Sequence, residues 1–319
     1  MERFSARRLA LLLASGLALC LLPLVLPATA LPEITRIVVL AGVAMCLNLL
    51  VGTSGLISMG QGLFLGFGAY AVALGTLRYN LSYGQAALIA LGLALPLSLI
   101  VALISLRARH LFFGLLTMAI GQVAFVLVAR NYELTGGDDG LFGIDPPAWA
   151  QSELEQHYLA VAAFVVISLI LLRLLASPFG ATLGAIRDNP DRIASLGGNP
   201  KLYEIAVMVI GGMLTTVLGV VWAATEGGVE PSLFSWVTSA LLLMMVALGG
   251  RSIFLGPLLG VLILEVSRVY LHKYSSNSDL VVGALVIACA IFFPEGVGPA
   301  IQGAMRRLGP GKAAIKEGM

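Results

Sequence analysis

The chain has 319 residues, of which 59% are hydrophobic and 11% are charged, and its mean hydropathy is +0.97. A soluble domain has about 25% charged residues, so this chain lacks the polar residues needed to cover a globular surface. The composition excludes a soluble globular protein and indicates a polytopic membrane protein. The net charge of +2 is spread over short segments, so we expect no nucleic-acid partner.

Cysteine usage and phosphate-binding motifs give no sign of a cofactor. Cys20, Cys46 and Cys289 lie far apart inside apolar runs and form no C-x-x-C spacing, which favours small buried residues over disulfide or metal roles. The sequence GPGK at 309–312 is followed by Ala313, where a phosphate loop needs Ser or Thr. We therefore expect no metal, no cofactor and no ATP site on this chain, and no enzymatic activity of its own.

Apolar runs long enough to cross a bilayer, about 17–25 residues each, follow one another along the chain. The first follows a cluster of arginines and precedes Ala-Thr-Ala at 28–30, which resembles a signal-peptidase site, and we interpret it as an uncleaved helix. Three of the runs are short or poorly bounded, so the number of spans is about 10 (9–10). The runs are residues 9–26, 34–51, 56–77, 84–106, 111–130, 158–176, 203–225, 235–249, 253–271 and 280–294.

The distribution of basic residues predicts the orientation. With the N-terminus inside and ten spans, 14 of the 19 Lys and Arg residues fall on the cytoplasmic side, and both termini are cytoplasmic. Five spans precede and five follow an acidic outer loop, so the second half crosses in the opposite sense, as in inverted repeats. We predict an all-α polytopic membrane protein with one transmembrane domain, 1–319, divided into a first half (about 1–130), the outer loop (131–157), a second half (about 158–300) and a cytoplasmic tail (301–319).

A glycine-rich segment, residues 52–70, interrupts the apolar pattern of the first half. Gly62 and Gly66 form a G-x-x-x-G pair, which allows two helix backbones to approach, and a packing face is one interpretation. The other is a non-helical break that borders an aqueous route. A second glycine-broken segment, 249–260, lies in the other half, and such pairs point to a translocation path. The predicted path residues are Gly55, Ser58, Gly60, Gln61, Gly66 and Gly68.

The outer loop contains the sequence LTGGDDGLFGI at 134–144, which is typical of tight turns. Its Asp spacing matches no EF-hand. A solvated connector is one interpretation, and a docking or gating surface for an external partner is the other. The residues that would form this surface are Thr135, Gly136, Gly137 and Gly140.

Glu265 and Arg268 place two charges within an apolar run. Their i, i+3 spacing allows the pair to neutralise itself, which favours a structural role, although ionisable groups inside a membrane are functional candidates by default. An ion-coupled carrier would need a richer set of such groups.

The sequence GAIRDNPDRIASLGGN, residues 184–199, is called the charged block below. Each charge at the bilayer centre would cost about 2.5–3.5 kcal/mol, so the block lies outside the membrane, on the cytoplasmic side. Ser177 before Pro178 and Asn189 before Pro190 are helix-start signals, and Gly197 is a stop signal. Two short amphipathic helices are predicted, which either seal the bundle or dock into a groove of a soluble partner. The apolar positions that would share helix faces are Phe179, Leu183 and Ile186, and then Ile193 and Leu196.

Residues 177–207 resemble the cytoplasmic coupling segment of the LivM-type permease subunits of branched-chain amino-acid ABC transporters. Residues 55–73, 134–144, 247–260 and 292–297 resemble that family in the same order. The resemblance implies a subunit in the bacterial inner membrane that works with a second homologous permease, two cytoplasmic ATPases and a periplasmic binding protein. It also implies that ATP is bound by the partner subunits and that these residues form the coupling segment: Ala185, Ile186, Arg187, Asp188, Asn189, Asp191, Arg192, Leu196 and Gly197.

Three positions depart from the family pattern. Asp188 stands where Glu is expected, Gln61 where His is common, and Pro190 where Glu is common. The resemblance implies import of branched-chain or other apolar amino acids, with a urea or short-amide ABC permease as the alternative. From the residues alone, an ion-coupled secondary carrier and a membrane scaffold also stay open.

Overall fold

The computed structural model describes residues 6–108, 111–274, 278–293 and 295–301, which leaves Arg3 and the predicted tail after residue 301 outside the described residues. Two short strands, β1 (Leu141–Phe142) and β2 (Gly228–Val229), pair antiparallel with Leu141 opposite Val229. The helices are α1 (Ala6–Leu21), α2 (Leu31–Asn48), α3 (Gln61–Leu77), α4 (Tyr83–Ser105), α5 (Leu111–Arg130), α6 (Tyr132–Thr135), α7 (Glu153–Ala176), α8 (Pro178–Asp188), α9 (Pro190–Ser195), α10 (Pro200–Glu226), α11 (Trp236–Gly249), α12 (Gly256–Tyr274) and α13 (Ser278–Phe292).

A helix overlaps each of the predicted apolar runs, and this all-helical fold is that of a polytopic membrane protein. Among the described residues, five segments are long and apolar enough to cross a bilayer: Leu31–Ser54, Tyr83–Ser105, Leu111–Arg130, Glu153–Ala176 and Pro200–Glu226. Shorter apolar helical segments occupy Arg8–Leu24, Gln61–Leu77 and Trp236–Gly249. The count of ten crossings in two inverted halves stays a prediction.

Helices α2 and α10 form the centre of the bundle, whereas α4 and α5 lie at its edge. Of the most apolar window of α2, 83% is buried inside the protein, against 22% for α5. Leu111 and Leu127 of α5 are 74% and 67% exposed, as expected of side chains that face lipid. Because lipid is as apolar as leucine, close van der Waals packing is what holds the central helices together.

The contact between α3 and α10 depends on two glycines. A Cβ on Gly68 would collide with the backbone at Thr216, and a Cβ on Gly219 would collide with the backbone at Leu65. The backbones approach because neither residue has a side chain, which is the arrangement that small residues permit in membranes. Tyr83 adds α4 to this contact by donating its hydroxyl proton to the Val220 carbonyl.

Both predicted glycine breaks are present as interruptions of helices. In the first, a π-helical turn, Leu49–Ser54, follows α2, Gly55 adopts a left-handed conformation (φ +74°), and residues up to 60 are non-helical before α3 begins. In the second, residues 250–255 separate α11 from α12 and Gly250 has φ +94°. A side chain would be strained at either glycine, so the helices change course there.

Candidate functional site: the coupling segment, the helix breaks and a charged cavity

The charged block folds as two short helices that begin at the predicted caps. Ser177 accepts a hydrogen bond from the Gly180 N–H at the start of α8, and Asn189 accepts one from the Arg192 N–H at the start of α9. Gly197 ends the second helix with φ +85°. Each cap satisfies a backbone donor that the first helical turn leaves without a partner, so the segment has a defined conformation.

Helix α8 has one face buried against the bundle, whereas α9 has no buried residue. Leu183 and Ile186 are buried, and the ring of Phe179 stacks on Tyr203 at 5.5 Å between centroids. Ile186, predicted as a coupling residue, therefore anchors α8 to the rest of the chain. Leu196 is 78% exposed at the end of α9. The other predicted coupling residues, which are also exposed, are Ala185, Arg187, Asp188, Asn189, Asp191, Arg192 and Gly197.

Arg187 connects the charged block to the first helix break. Its Nη1 donates a hydrogen bond of 2.7 Å to the carbonyl oxygen of Gly52, and a Cβ on Gly55 would lie 2.7 Å from Arg187 Cγ. Gly52 lies in the last helical turn before the break, where carbonyl groups lack intrahelical partners and a cation is favourable. A neighbouring Asp188 carboxylate, 3.2 Å from Arg187 Nη2, holds the guanidinium from the other side.

The two helix breaks contact each other at Gly52. A Cβ on Gly52 would lie 2.6 Å from the carbonyl oxygen of Arg251, in the second break. The first break is also fastened to α5, because the Met59 N–H donates to Thr117 Oγ1 at 3.0 Å. Protein groups thus accept the Leu56 and Met59 N–H donors of this non-helical segment. The charged block, the first break and the second break form one connected contact region.

Of the predicted path residues, Gly55 is exposed and the other five are buried inside the bundle. Gln61 is fully buried and donates from Nε2 to Thr215 Oγ1 at 2.9 Å, while its Oε1 has no hydrogen-bond partner. Ser58 accepts from the Gly60 N–H at 3.2 Å. In this conformation these residues hold the first break to α10 and α5, and their role in a path stays a prediction.

The two glycines of the G-x-x-x-G pair, Gly62 and Gly66, pack against a short turn. A Cβ on Gly62 would lie 2.6 Å from the Leu233 carbonyl oxygen, and one on Gly66 would lie 2.8 Å from the Phe234 ring. Both neighbours belong to the 3-10 turn Pro231–Phe234, which leads into α11. The predicted packing role therefore applies, with a turn as the partner of Gly62 and Gly66.

The outer loop is compact and joined to the end of α10. Gly136, Gly137 and Gly140 all have positive φ, and β1 pairs with β2 directly after α10. Thr135 is buried and donates to the carbonyls of Val128 and Asn131. Since α10 has 27 residues, a length of about 40 Å, this loop and the charged block lie at opposite ends of the bundle.

A cavity of about 530 Å³ lies at the outer-loop end of the bundle, among α2, α3, α10, α11 and α12. Five charged side chains line it, together with an apolar wall that includes Leu65, Leu241 and Met245. The charged residues are Arg36, Glu226, Glu230, Glu265 and Arg268.

The two arginines that line this cavity, Arg36 and Arg268, have different neighbours. The Arg36 guanidinium carbon lies 5.7 Å from the centre of the Trp222 ring, within cation–π range, and its Nε has no hydrogen-bond partner. Arg268 Nη1 lies 3.7 Å from the buried Glu265 carboxylate. The sequence interpretation treats Glu265 and Arg268 as a pair that neutralises itself, and it does not include Arg36 and Glu226. The signal that could have identified Arg36 is its position inside the second apolar run, residues 34–51.

An all-helical bundle with interrupted helices, a capped polar segment at one end and a charged cavity at the other is the architecture of a membrane transport subunit. A protein family described as "Branched-chain amino acid transport system / permease component" matches residues 31–290. Because this match covers most of the chain, the protein belongs to that family. It is a multi-pass permease component of a transport system, and its relatives are not enzymes.

Individual relatives carry the same description. The chain is 28% identical over 293 residues to the high-affinity branched-chain amino acid transport system permease protein LivM of Escherichia coli K12, covering 83% of this chain and 68% of the relative. A probable branched-chain amino acid transport permease protein LivM of Methanocaldococcus jannaschii is 26% identical over 183 residues, which is 56% of this chain and 53% of the relative. No solved structure gives a significant match.

Proposed function

We propose that this chain is the permease subunit of an ATP-driven importer for branched-chain or other apolar amino acids. It lies in the bacterial inner membrane, with both termini in the cytoplasm and about ten crossings in two inverted five-helix halves, and forms the translocation path with a second homologous permease. A periplasmic binding protein delivers the substrate at the outer-loop end. Two cytoplasmic ATPases, which bind the ATP, act at the charged block.

The observation that carries this proposal is the conformation of the charged block. Its helices are capped at both starts, anchored by buried Leu183 and Ile186, and exposed on a face with Asp191, Arg192 and Leu196. A segment that only connects two spans would need neither helix caps nor buried anchors. A rigid surface with an apolar tip among charges fits a groove on a soluble protein, where an apolar anchor and surrounding charges determine affinity and orientation.

The contact region offers a route for the motion that nucleotide binding produces. A displacement of α8 reaches Gly52 through Arg187, and Gly52 touches the second break at Arg251. Helix ends and breaks are the elements that absorb changes in backbone angles during such transitions. The ATPases therefore act on both halves of the permease from one contact.

Co-purification of the ATPase tests the proposal, with Asp191→Arg as the variant and Asp145→Arg as its matched control. Both reverse one exposed acidic residue, but Asp145 lies in the outer loop at the other end of the bundle. We expect Asp191→Arg to lose the ATPase and Asp145→Arg to retain it. Retention of the ATPase and of full amino-acid import by Asp191→Arg would contradict docking at the charged block.

A further inference from the structure

The cavity at the outer-loop end has the dimensions and the composition of a small-molecule site. Its volume of about 530 Å³ lies within the range of roughly 300–1,000 Å³ that is usual for such sites. The walls come from two groups of helices that are far apart in the sequence, α2 and α3 in the first half and α10 to α12 in the second, so the fold itself assembles the cavity. Phe142 of the outer loop contributes to its lining.

The presence of charged side chains inside the bundle requires a physical explanation. Arg36, Glu265 and Arg268 each lie within a helix of the bundle, where a charged group is expensive and faces a partner or a water-filled space. A charge-assisted hydrogen bond between an arginine and a carboxylate has a separation of about 2.7–2.9 Å. The separation of 3.7 Å between Arg268 Nη1 and Glu265 Oε1 leaves both groups with hydrogen-bonding capacity.

We propose that this cavity binds the zwitterion of an apolar amino acid on its way through the permease, an inference that rests on the proposed function. The Arg36 guanidinium, held over Trp222 with its Nε unpartnered, takes the α-carboxylate of the substrate. The buried Glu265 carboxylate takes the α-ammonium group. Arginine suits the first task because its planar fork matches a carboxylate in two parallel hydrogen bonds.

The remaining walls select the side chain. Leu65, Leu241 and Met245 form the apolar part of the cavity, and burial of a branched aliphatic chain against them is favourable, at about 25 cal/mol for each Å² removed from water. Arg268 is a positioning residue: its guanidinium lies 3.7 Å from the Glu265 carboxylate, one helical turn away, and orients that carboxylate in the cavity. Neither a free anion nor a free cation uses both charged groups and the apolar wall at once.

Substrate protection of an introduced cysteine tests binding directly. Val237→Cys places a thiol in the cavity lining, and Val25→Cys places one at an exposed site that does not line the cavity. The complete transporter in proteoliposomes is labelled with a membrane-impermeant maleimide, and the parent protein gives the background of its own cysteines. The probes are L-leucine, 4-methylpentanoate, which lacks the ammonium group, and 3-methylbutylamine, which lacks the carboxylate.

We expect L-leucine to slow the labelling of Val237→Cys and to leave Val25→Cys unchanged, and we expect neither analogue to protect at the same concentration. Equal protection by 4-methylpentanoate or by 3-methylbutylamine would overturn the assignment of a zwitterion. Unchanged labelling in the presence of L-leucine would overturn binding in the cavity.

Import assays test the roles of the two charged residues. Arg36→Gln and Glu265→Gln should each lower leucine import at least about tenfold, which corresponds to about 1.4 kcal/mol. Glu33→Gln is the matched control, because Glu33 lies on α2 within one turn of Arg36 but does not line the cavity. Leu241→Trp fills the cavity without changing any charge, and it covers the case in which the charge variants do not fold.

The outcomes separate the two proposals. If the parent transporter imports leucine with ATP while the inserted Arg36→Gln, Glu265→Gln and Leu241→Trp variants import it at the parent rate, the cavity assignment is wrong and the proposed function stands. If the parent transporter imports no amino acid, the proposed function is wrong. Protection of Val237→Cys by leucine would still support the cavity site in that case.

Discussion

The hydrogen bond between Arg187 and Gly52 can be tested with a single added methyl group, in Gly55→Ala. In Gly55→Ala, the new Cβ lies 2.7 Å from Arg187 Cγ, so the arginine must move and its Nη1 leaves the Gly52 carbonyl. The substitution also places a side chain at φ +74°. A suitable control is Gly143→Ala in the outer loop, where φ is +82° and no atom lies within 4 Å of the added Cβ.

The expected cost follows from these contacts. A Cβ in the left-handed region costs roughly 1–2 kcal/mol at either position. A hydrogen bond to a charged group contributes about 1.5–3 kcal/mol, but the Arg187 side chain is 48% exposed, so solvent screening reduces this to roughly 0.5–1 kcal/mol. Gly55→Ala should therefore be only about 0.5–1 kcal/mol less stable than Gly143→Ala, a difference too small to explain a loss of transport by unfolding.

The assay measures amino-acid import and ATP hydrolysis together in proteoliposomes that contain the complete transporter. We expect Gly55→Ala to import less substrate for each ATP hydrolysed, and Gly143→Ala to keep the parent ratio. Arg187→Gln should behave like Gly55→Ala, because it removes the same bond without backbone strain. A parent ratio in both Gly55→Ala and Arg187→Gln would refute the role of this bond in coupling.

Three further substitutions test separate parts of the structure. Gly66→Leu should reduce transport without removing the protein from the membrane, because its side chain displaces Phe234, 2.8 Å from the position of a Cβ; normal import by the inserted variant would contradict tight packing at this turn. Asn189→Ala should weaken ATPase retention by loosening α9, since loss of a cap costs about 1 kcal/mol, and retention equal to the parent would count against a required helix. Thr135→Val should lower the melting temperature by removing a buried hydroxyl that donates to Val128 and Asn131, a loss of about 1 kcal/mol, and an unchanged melting temperature would show that these hydrogen bonds add nothing.

Local features of this protein were predictable from the sequence because they depend on neighbouring residues. Ser177 and Asn189 cap the predicted helices, since a side-chain oxygen before a proline satisfies the first backbone donors wherever the chain goes next. Gly55 and Gly250 mark real helix breaks because only glycine tolerates their backbone angles without strain. Apolar length predicted a helix in each run, and five of the described helical segments are long and apolar enough to cross a bilayer.

Features that depend on which helices become neighbours were not predictable. The contact between Gly68 and the α10 backbone, and the bond from Arg187 to Gly52, join segments that are distant in the chain. The cavity is the clearest case. Its charged residues on α2, α10 and α12 belong to segments that are distant in the sequence, and only the packing of the helices brings Arg36 and Glu265 to one space.

Photo-crosslinking from the apolar tip of the charged block is a direct test of ATPase docking at this segment. A benzoylphenylalanine is introduced at Leu196, which is 78% exposed, or at Trp149 of the outer loop, which is 65% exposed, in the complete transporter in membranes. We expect an adduct between the ATPase and the chain from position 196 and none from position 149. An ATPase adduct from position 149 with none from position 196 would contradict this docking.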